Sequence, residues 1–271
     1  MKLAVSNMAW PAAADEEAMA ILRRSSIRAI EVAPTRLWAD WQDASPRAAE
    51  AVSAQYATRG ISVAALQAIL FGKPQFKLFG ARAEREGLVK HLRFCAEIAG
   101  AFGARSLVFG APKNRELNGL SEDAAFELAR ECFATVAPDF EKHGACLCLE
   151  ANPPQYGCQF LTDSAQAAAM VRAVDSPGVR LHLDTACMYL AGEDLRAVVR
   201  NNFDLVSHFH VSEPFLASMD SPVIDHARVA STLRELHYSG WVSLEMREGD
   251  EPVPALERAV DFLARTYGGD F

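Results

Sequence analysis

Eight short β-prone runs alternate with longer, alanine-rich amphipathic segments along 271 residues. That alternation predicts an α/β protein, a single parallel (β/α)₈ barrel spanning residues 1–271. Two further observations support it. No low-complexity linker or composition break divides the chain. The turn after the first run, SNMAWPAAA, has no glycine-rich phosphate loop, which weighs against an open, doubly wound dinucleotide-binding sheet.

The elements follow in order. KLAVS at 2–6 reads as the first strand, because Ser6 and Asn7 break the apolar stretch too early for the core of a secretory leader. DEEAMAILRRS follows with the acidic start that helices favour. IRAIEV at 27–32 is the second strand. In SPRAAEAVSAQYATRG, Ser45 is a candidate N-cap, Pro46 occupies the first helical position and Gly60 the exit. ISVAAL at 61–66 and RSLVFG at 105–110 are the third and fourth strands. A long helix is expected from Ser121 to Gly144, kinked at Pro138. ACLCLE at 145–150, VRLHLD at 179–184, LVSHFHV at 205–211 and WVSLEM at 241–246 complete the strands. TDSAQAAAMVRAV and VPALERAVDFLARTYGG supply further helices.

Composition excludes several classes. A net charge of -8 argues against a nucleic-acid-binding surface, which needs clustered Lys and Arg, while leaving room for a small basic pocket. No apolar run reaches the roughly 18–20 residues that cross a bilayer. Six cysteines in a chain of this length do not form a disulfide scaffold, so reduced, buried thiols in a cytoplasmic protein are expected.

In a barrel of this kind the chemistry sits at the C-terminal ends of the strands. Four successive strands end on a metal-ligand type: Glu150, Asp184, His210 and Glu245, separated by 34, 26 and 35 residues. A single glutamate at a strand end is more often a surface or capping residue. Four such residues, one βα unit apart, aim at one mouth, and buried carboxylates without a partner are costly. Three carboxylates and an imidazole suit one divalent ion, Mn²⁺, Mg²⁺ or Co²⁺. Zn²⁺ also fits, although it more often recruits additional His or Cys. His208 lies one layer below His210 on the same face, and His182 stands two residues before Asp184. Each reads as a core histidine or as a group that orients a ligand.

The segments LEAN, LDTACMYLAGED, SHFHVSE and LHYSGWVSLEM resemble the xylose-isomerase-like TIM-barrel superfamily, the sugar phosphate isomerase/epimerase group that includes ketose 3-epimerases. The resemblance covers most of the chain. It implies that Glu150, Asp184, His210 and Glu245 bind the metal, and that Glu150 and Glu245 also form the acid/base pair. The chain departs from the pattern at three places. Cys187 stands where the family commonly has a histidine, and Tyr156 where ketose 3-epimerases carry a second glutamate. SEPFLAS lacks their substrate-binding arginine. The endonuclease branch is disfavoured because strands three and four offer no extra histidine ligands and the charge is negative.

Around this set, Tyr156, Cys187, Glu213, Lys113, Arg115 and Arg247 are candidate substrate-binding groups. Lys113 and Arg115 follow the fourth strand and suit a carboxylate or phosphate, or else form a solvated loop. Glu213 is a candidate extra base. Gln67 ends the third strand. Trp10 and Trp38 follow the first two and suit either sugar stacking or contacts in a homo-oligomer. The expected chemistry is proton transfer next to the carbonyl of a sugar, or of a sugar-like polyol or keto compound, through a metal-stabilised enediolate. Isomerisation, epimerisation and dehydration all follow from that step. A metal-dependent dehydratase or lyase, a metal-assisted hydrolase and a non-catalytic sugar-binding relative are the alternatives.

Overall fold

The computed structural model describes residues 1–269, so residues 270–271 of the expected 1–271 span lie outside it. Strand β1 (Lys2–Ser6) leads to helix α1 (Asp15–Arg24), β2 (Ala29–Val32), α2 (Pro46–Thr58) and β3 (Ser62–Leu66). Then come α3 (Arg82–Phe102), β4 (Ser106–Phe109), α4 (Glu122–Lys142), β5 (Cys146–Glu150) and α5 (Ser164–Val174). The chain finishes with β6 (Val179–Asp184), α6 (Thr185–Leu190), α7 (Leu195–Asn202), β7 (Val206–Val211), α8 (His226–Glu235), β8 (Trp241–Leu244) and α9 (Pro252–Tyr267). The eight strands are parallel and pair in sequence order, and β1 pairs with β8 to close the ring. The fold is therefore a (β/α)₈ TIM barrel.

Local chemistry places several ends as the sequence predicts. Ser45 Oγ accepts from the Ala48 N–H at 3.2 Å, with Pro46 at the first helical position, and Gly60 adopts a φ of +72°. Helix α4 runs unbroken through Pro138, where the sequence suggests a kink. Helices α3, α6, α7 and α8 fill stretches to which the sequence pattern assigns no segment. The last strand stops at Leu244, one residue short of Glu245, but the Glu245 N–H still donates to the Val211 carbonyl at 2.9 Å. No helix among the described residues is long and apolar enough to cross a membrane.

Two register irregularities decide which polar residues stand side by side in the ring. Between β2 and β3, Ile30 pairs with Val63 and Glu31 with Ala65, leaving Ala64 extra. Between β6 and β7, Leu181 pairs with Val206 and His182 with His208, leaving Ser207 extra. A bulge of this kind shifts every later residue of its strand by one. As a result His208 pairs with His182 and His210 with Asp184.

The main apolar core lies between the barrel and its helices. Phe109 of β4 meets Phe133 of α4 edge to face, with centroids 5.4 Å apart, and both are fully buried. Inside the ring the side chains are small or polar. Ala4, Ala29 and Ala64 pack with Trp241 as a separate cluster. Ser106, Cys146, Cys148, His182, His208 and Ser243 are also buried. Stability therefore rests chiefly on the outer layer. Phe133→Ala is expected to cost about 3–5 kcal/mol in denaturant unfolding; a loss below about 1 kcal/mol would show that the outer layer is not the main store of stability.

Candidate metal centre

Four strand ends bring their side chains to one point. The Nδ1 of His210 lies 3.3 Å from Glu245 Oε2, 3.8 Å from Asp184 Oδ2 and 3.9 Å from Glu150 Oε1. No hydrogen bond of the protein satisfies this buried nitrogen. In-register pairing puts Glu150 beside His182, and Asp184 beside His210, one step further along. The tilt of barrel strands brings these successive steps to one height at the mouth.

Each carboxylate is held by a neighbour. Asn152 Nδ2 donates to Glu150 Oε2 at 2.8 Å. Gln67 Nε2 donates to Glu245 Oε1 at 2.6 Å. Asp184 accepts from Ser212 Oγ at 2.6 Å and from the Cys187 N–H at 2.7 Å, so it also caps α6. Gly110 makes room for the first of these groups: a Cβ there would collide with Glu150 Oε2.

The electrostatics are those of crowded, dry anions. Burial pushes the Glu150 carboxyl up. Burial and the Glu150 charge push Asp184 up to about 6. Burial alone would lower His210, but Glu31 and Glu245 raise it well above the ordinary imidazole range. His182 is held well below that range by burial and by the neighbouring His210 and His208.

The donor set fits a divalent cation. Three carboxylate oxygens stand 3.3, 3.8 and 3.9 Å from one unpartnered imidazole nitrogen, separations that metal coordination would shorten. Ligand atoms of Glu150, His182, Asp184 and His210 all lie within 4.8 Å of one another. His182 Nε2 stands 3.4 Å from Glu150 Oε1, and neither of its ring nitrogens is otherwise engaged.

The expected substrate groups fare differently. Cys187 is buried beside the centre, where Asn152 Nδ2 approaches its sulfur at 3.5 Å. Burial, Asp184 and Glu150 push its thiol well up, so it stays protonated. Tyr156 is half-buried, and its hydroxyl accepts from the Phe215 N–H at 2.9 Å. Burial keeps that hydroxyl protonated. Lys113 is exposed on the turn after β4.

Four expectations need correction. Arg115 is not a solvated loop residue. It is fully buried behind Glu150, donating to the Glu150 carbonyl at 2.9 Å and to Asn152 Oδ1 at 2.6 Å. Glu213 is not a free base. It accepts from His226 Nε2 at 2.9 Å and from the Val223 and Ile224 N–H groups at 3.0 and 3.2 Å, which anchors the loop after β7. Arg247 is exposed, and its guanidinium donates to the Phe215 carbonyl, bracing that loop from β8. Trp10 is likewise buried, with its indole N–H on Asp15 at 2.7 Å, so it offers no face to a sugar.

Sequence reasoning missed Glu31, Asn152 and Ser212. Glu31 is fully buried, and its Oε2 lies 2.9 Å from His210 Nε2 and 3.1 Å from His208 Nε2. Burial opposes its charge, but the two histidines hold the carboxyl well below the usual range. A charged residue near the end of the apolar run IRAIEV was the available signal. Asn152 and Ser212 each stand two residues past a ligand-type residue, the spacing of one strand face.

A family model described as xylose isomerase-like TIM barrel matches residues 19–266. No curated protein matches the sequence significantly. Among solved structures, a D-psicose 3-epimerase determined in the presence of D-fructose superposes with a TM-score of 0.81 at 16% identity, covering 99% of this chain and 100% of that one. The 3-keto-D-glucoside 4-epimerase YcjR from E. coli gives 0.79 at 18%, covering 98% and 99%. The IOLI protein with a binding zinc atom gives 0.76 at 16%, covering 99% and 100%. At these identities the superpositions establish likeness of fold.

Two outcomes are expected at this centre. Ion uptake competes with protons on Asp184 and His210, so affinity should fall as pH drops through about 6, and binding near pH 7 should release protons. Titration calorimetry in buffers of different ionisation enthalpy checks both, and a pH-independent affinity would contradict the assignment. Gly110→Ala should displace Glu150 and weaken ion binding while leaving the fold intact by circular dichroism. Unchanged affinity would mean that Glu150 does not depend on that space.

Proposed function

The chain belongs to the xylose isomerase-like TIM-barrel family, and from that premise we propose that it is a divalent-metal-dependent isomerase or epimerase of a sugar or of a sugar-like polyol or keto compound. One observation carries the reading: Glu150, Asp184 and Glu245 converge on the unpartnered Nδ1 of His210. We assign these four residues as the ligands and Glu150 and Glu245 as the acid/base pair. Two of the superposed structures, a D-psicose 3-epimerase and a 3-keto-D-glucoside 4-epimerase, agree with this class.

The hydrogen bonds support a division of labour. Both oxygens of Asp184 accept strong donors, Ser212 and the Cys187 N–H, which suits a ligand that does not move protons. Glu150 and Glu245 each have one oxygen anchored by an amide and the other turned toward His210. When bound, a divalent ion polarises a substrate carbonyl and offsets the charge that develops when the adjacent carbon loses its proton. One glutamate takes that proton and the other returns one. Return to the opposite face of the same carbon epimerises; delivery to the neighbouring carbon isomerises.

The basic residues favour an uncharged substrate. Arg115 is committed to Glu150 and Asn152, and Arg247 to the Phe215 carbonyl, which leaves Lys113 as the candidate cation on the loop after β4. A binding-only relative is the second reading. It is favoured by the Tyr156 hydroxyl, which already accepts from Phe215, and by the neutral thiol of Cys187.

A screen of ketoses and inososes in D₂O with Mn²⁺, Mg²⁺ or Co²⁺ separates the two. The enzyme should wash deuterium into the carbon next to the carbonyl; binding without exchange would leave the second reading. Glu150→Gln and Glu245→Gln should each lower turnover by about 10²–10⁴-fold while retaining some metal. Wild-type rates in both variants, with metal bound, would overturn the acid/base assignment.

A further inference from the structure

The structure assigns Glu31 as a positioning residue: through one carboxylate oxygen it fixes the ring of His210 so that Nδ1 faces the three mouth carboxylates. The assignment rests on the reading of His210 as a metal ligand. Glu31 itself lies outside the four-residue set.

The geometry is specific. An imidazole presents two nitrogens, and a ring that binds a cation through one must carry its proton on the other. His210 Nε2 lies 2.9 Å from Glu31 Oε2, and a carboxylate oxygen only accepts, so Nε2 carries the proton. Nδ1 is thereby left as the coordinating lone pair, pointing at Glu245, Asp184 and Glu150. The same Glu31 oxygen accepts from His208 Nε2 at 3.1 Å. All three side chains are essentially inaccessible to solvent. Glu31 is therefore held from two directions and cannot swing away without leaving two buried donors unpaired. The other oxygen, Oε1, has no hydrogen-bond partner.

The register explains how the pair meets across the barrel. Ala64 is the extra residue opposite the Ile30–Glu31 step, and Ser207 is the extra residue before His208. Both irregularities adjoin the residues that make the contact. The interior between them is built from small residues such as Ala4, Ala29 and Ala64, which leave the carboxylate room to reach β7. A carboxylate behind a ligating imidazole also raises the basicity of that ring, so Glu31 is expected to strengthen binding as well as aim it.

The test uses Co²⁺ as probe on the full chain, with Glu31→Gln as the near-isosteric variant. Wild-type protein should bind Co²⁺ with a defined visible spectrum. Glu31→Gln should bind it about 10–100-fold more weakly, with a changed spectrum and an unchanged circular dichroism signal. Nitrogen-15 NMR of labelled histidine in the metal-free proteins gives a second readout. The wild type should show an exchange-protected, hydrogen-bonded His210 Nε2–H, and the variant should lose that protection. Glu31→Gln with wild-type Co²⁺ affinity, spectrum and ring signals would overturn the assignment. Asp184→Ala separates the underlying reading from this one. If Asp184→Ala keeps full Co²⁺ binding, the metal centre is misplaced; if it loses binding while Glu31→Gln stays normal, the centre stands and Glu31 has no part in it.

Discussion

Three carboxylates in a dry barrel mouth, facing one imidazole nitrogen, are the constraint to which the rest of the structure answers. Two like charges about 4 Å apart repel by roughly 4 kcal/mol at the effective dielectric of a protein surface, and more when water is excluded. Such a group is stable only with protons or a cation among its members. The raised affinities of Glu150 and Asp184 for protons, and the retained charge on His210, express that need in the metal-free chain. The donors around them act against collapse. Asn152, Gln67, Ser212 and the Cys187 N–H each fix an oxygen where it stands. The site is thus ordered before any ligand arrives, which is the condition for tight and selective coordination.

The barrel supplies that order by giving up apolar packing inside its ring. Many barrels fill the interior with layers of branched aliphatic side chains. Here the interior carries alanines, serines, cysteines and three histidines, and several of their polar atoms lack partners. Each unsatisfied buried group costs about 1–3 kcal/mol. The layer between sheet and helices offsets this with a continuous set of fully buried aromatic and aliphatic residues, Phe109, Phe133, Phe140 and Leu147 among them. Stability and chemistry therefore occupy different sides of the same strands, at alternating positions.

That alternation explains what the sequence disclosed. Strands that are buried on both faces read as near-continuous apolar runs, and all eight are recognisable as such. A polar residue ending such a run stands out, as Glu150, Asp184, His210 and Glu245 do. Glu31 sits in the same kind of run but one residue before its end, and its partners are on β7, far away in sequence. Its place inside an apolar run hints at burial, but nothing local says what it contacts. Arg115 misled for the opposite reason: its neighbours Lys113, Asn114 and Glu116 suggest a solvated turn, yet the turn folds under β5 and buries the guanidinium. Helix α3 escaped the pattern because its inner face includes His91, a buried histidine held to the Ile69 carbonyl at 2.8 Å. Register shifts at Ala64 and Ser207 have no sequence signature, although they decide which face His208 and His210 present.

Charge balance connects the buried basic residue to the chemistry. Counted with neutral rings, Glu31, Glu150, Asp184 and Glu245 bring four negative charges to the ring and its mouth. A divalent ion offsets two, and Arg115, fully buried beside Glu150, offsets a third. One more positive charge is needed, and a proton on a carboxyl group is the economical source in a site that excludes water. Glu31 cannot take it, because His208 and His210 both donate to the same oxygen and hold its charge. Asp184 is engaged at both oxygens as an acceptor. Glu150 is a carboxyl whose proton affinity burial raises, and it would give up that proton on ligating the ion.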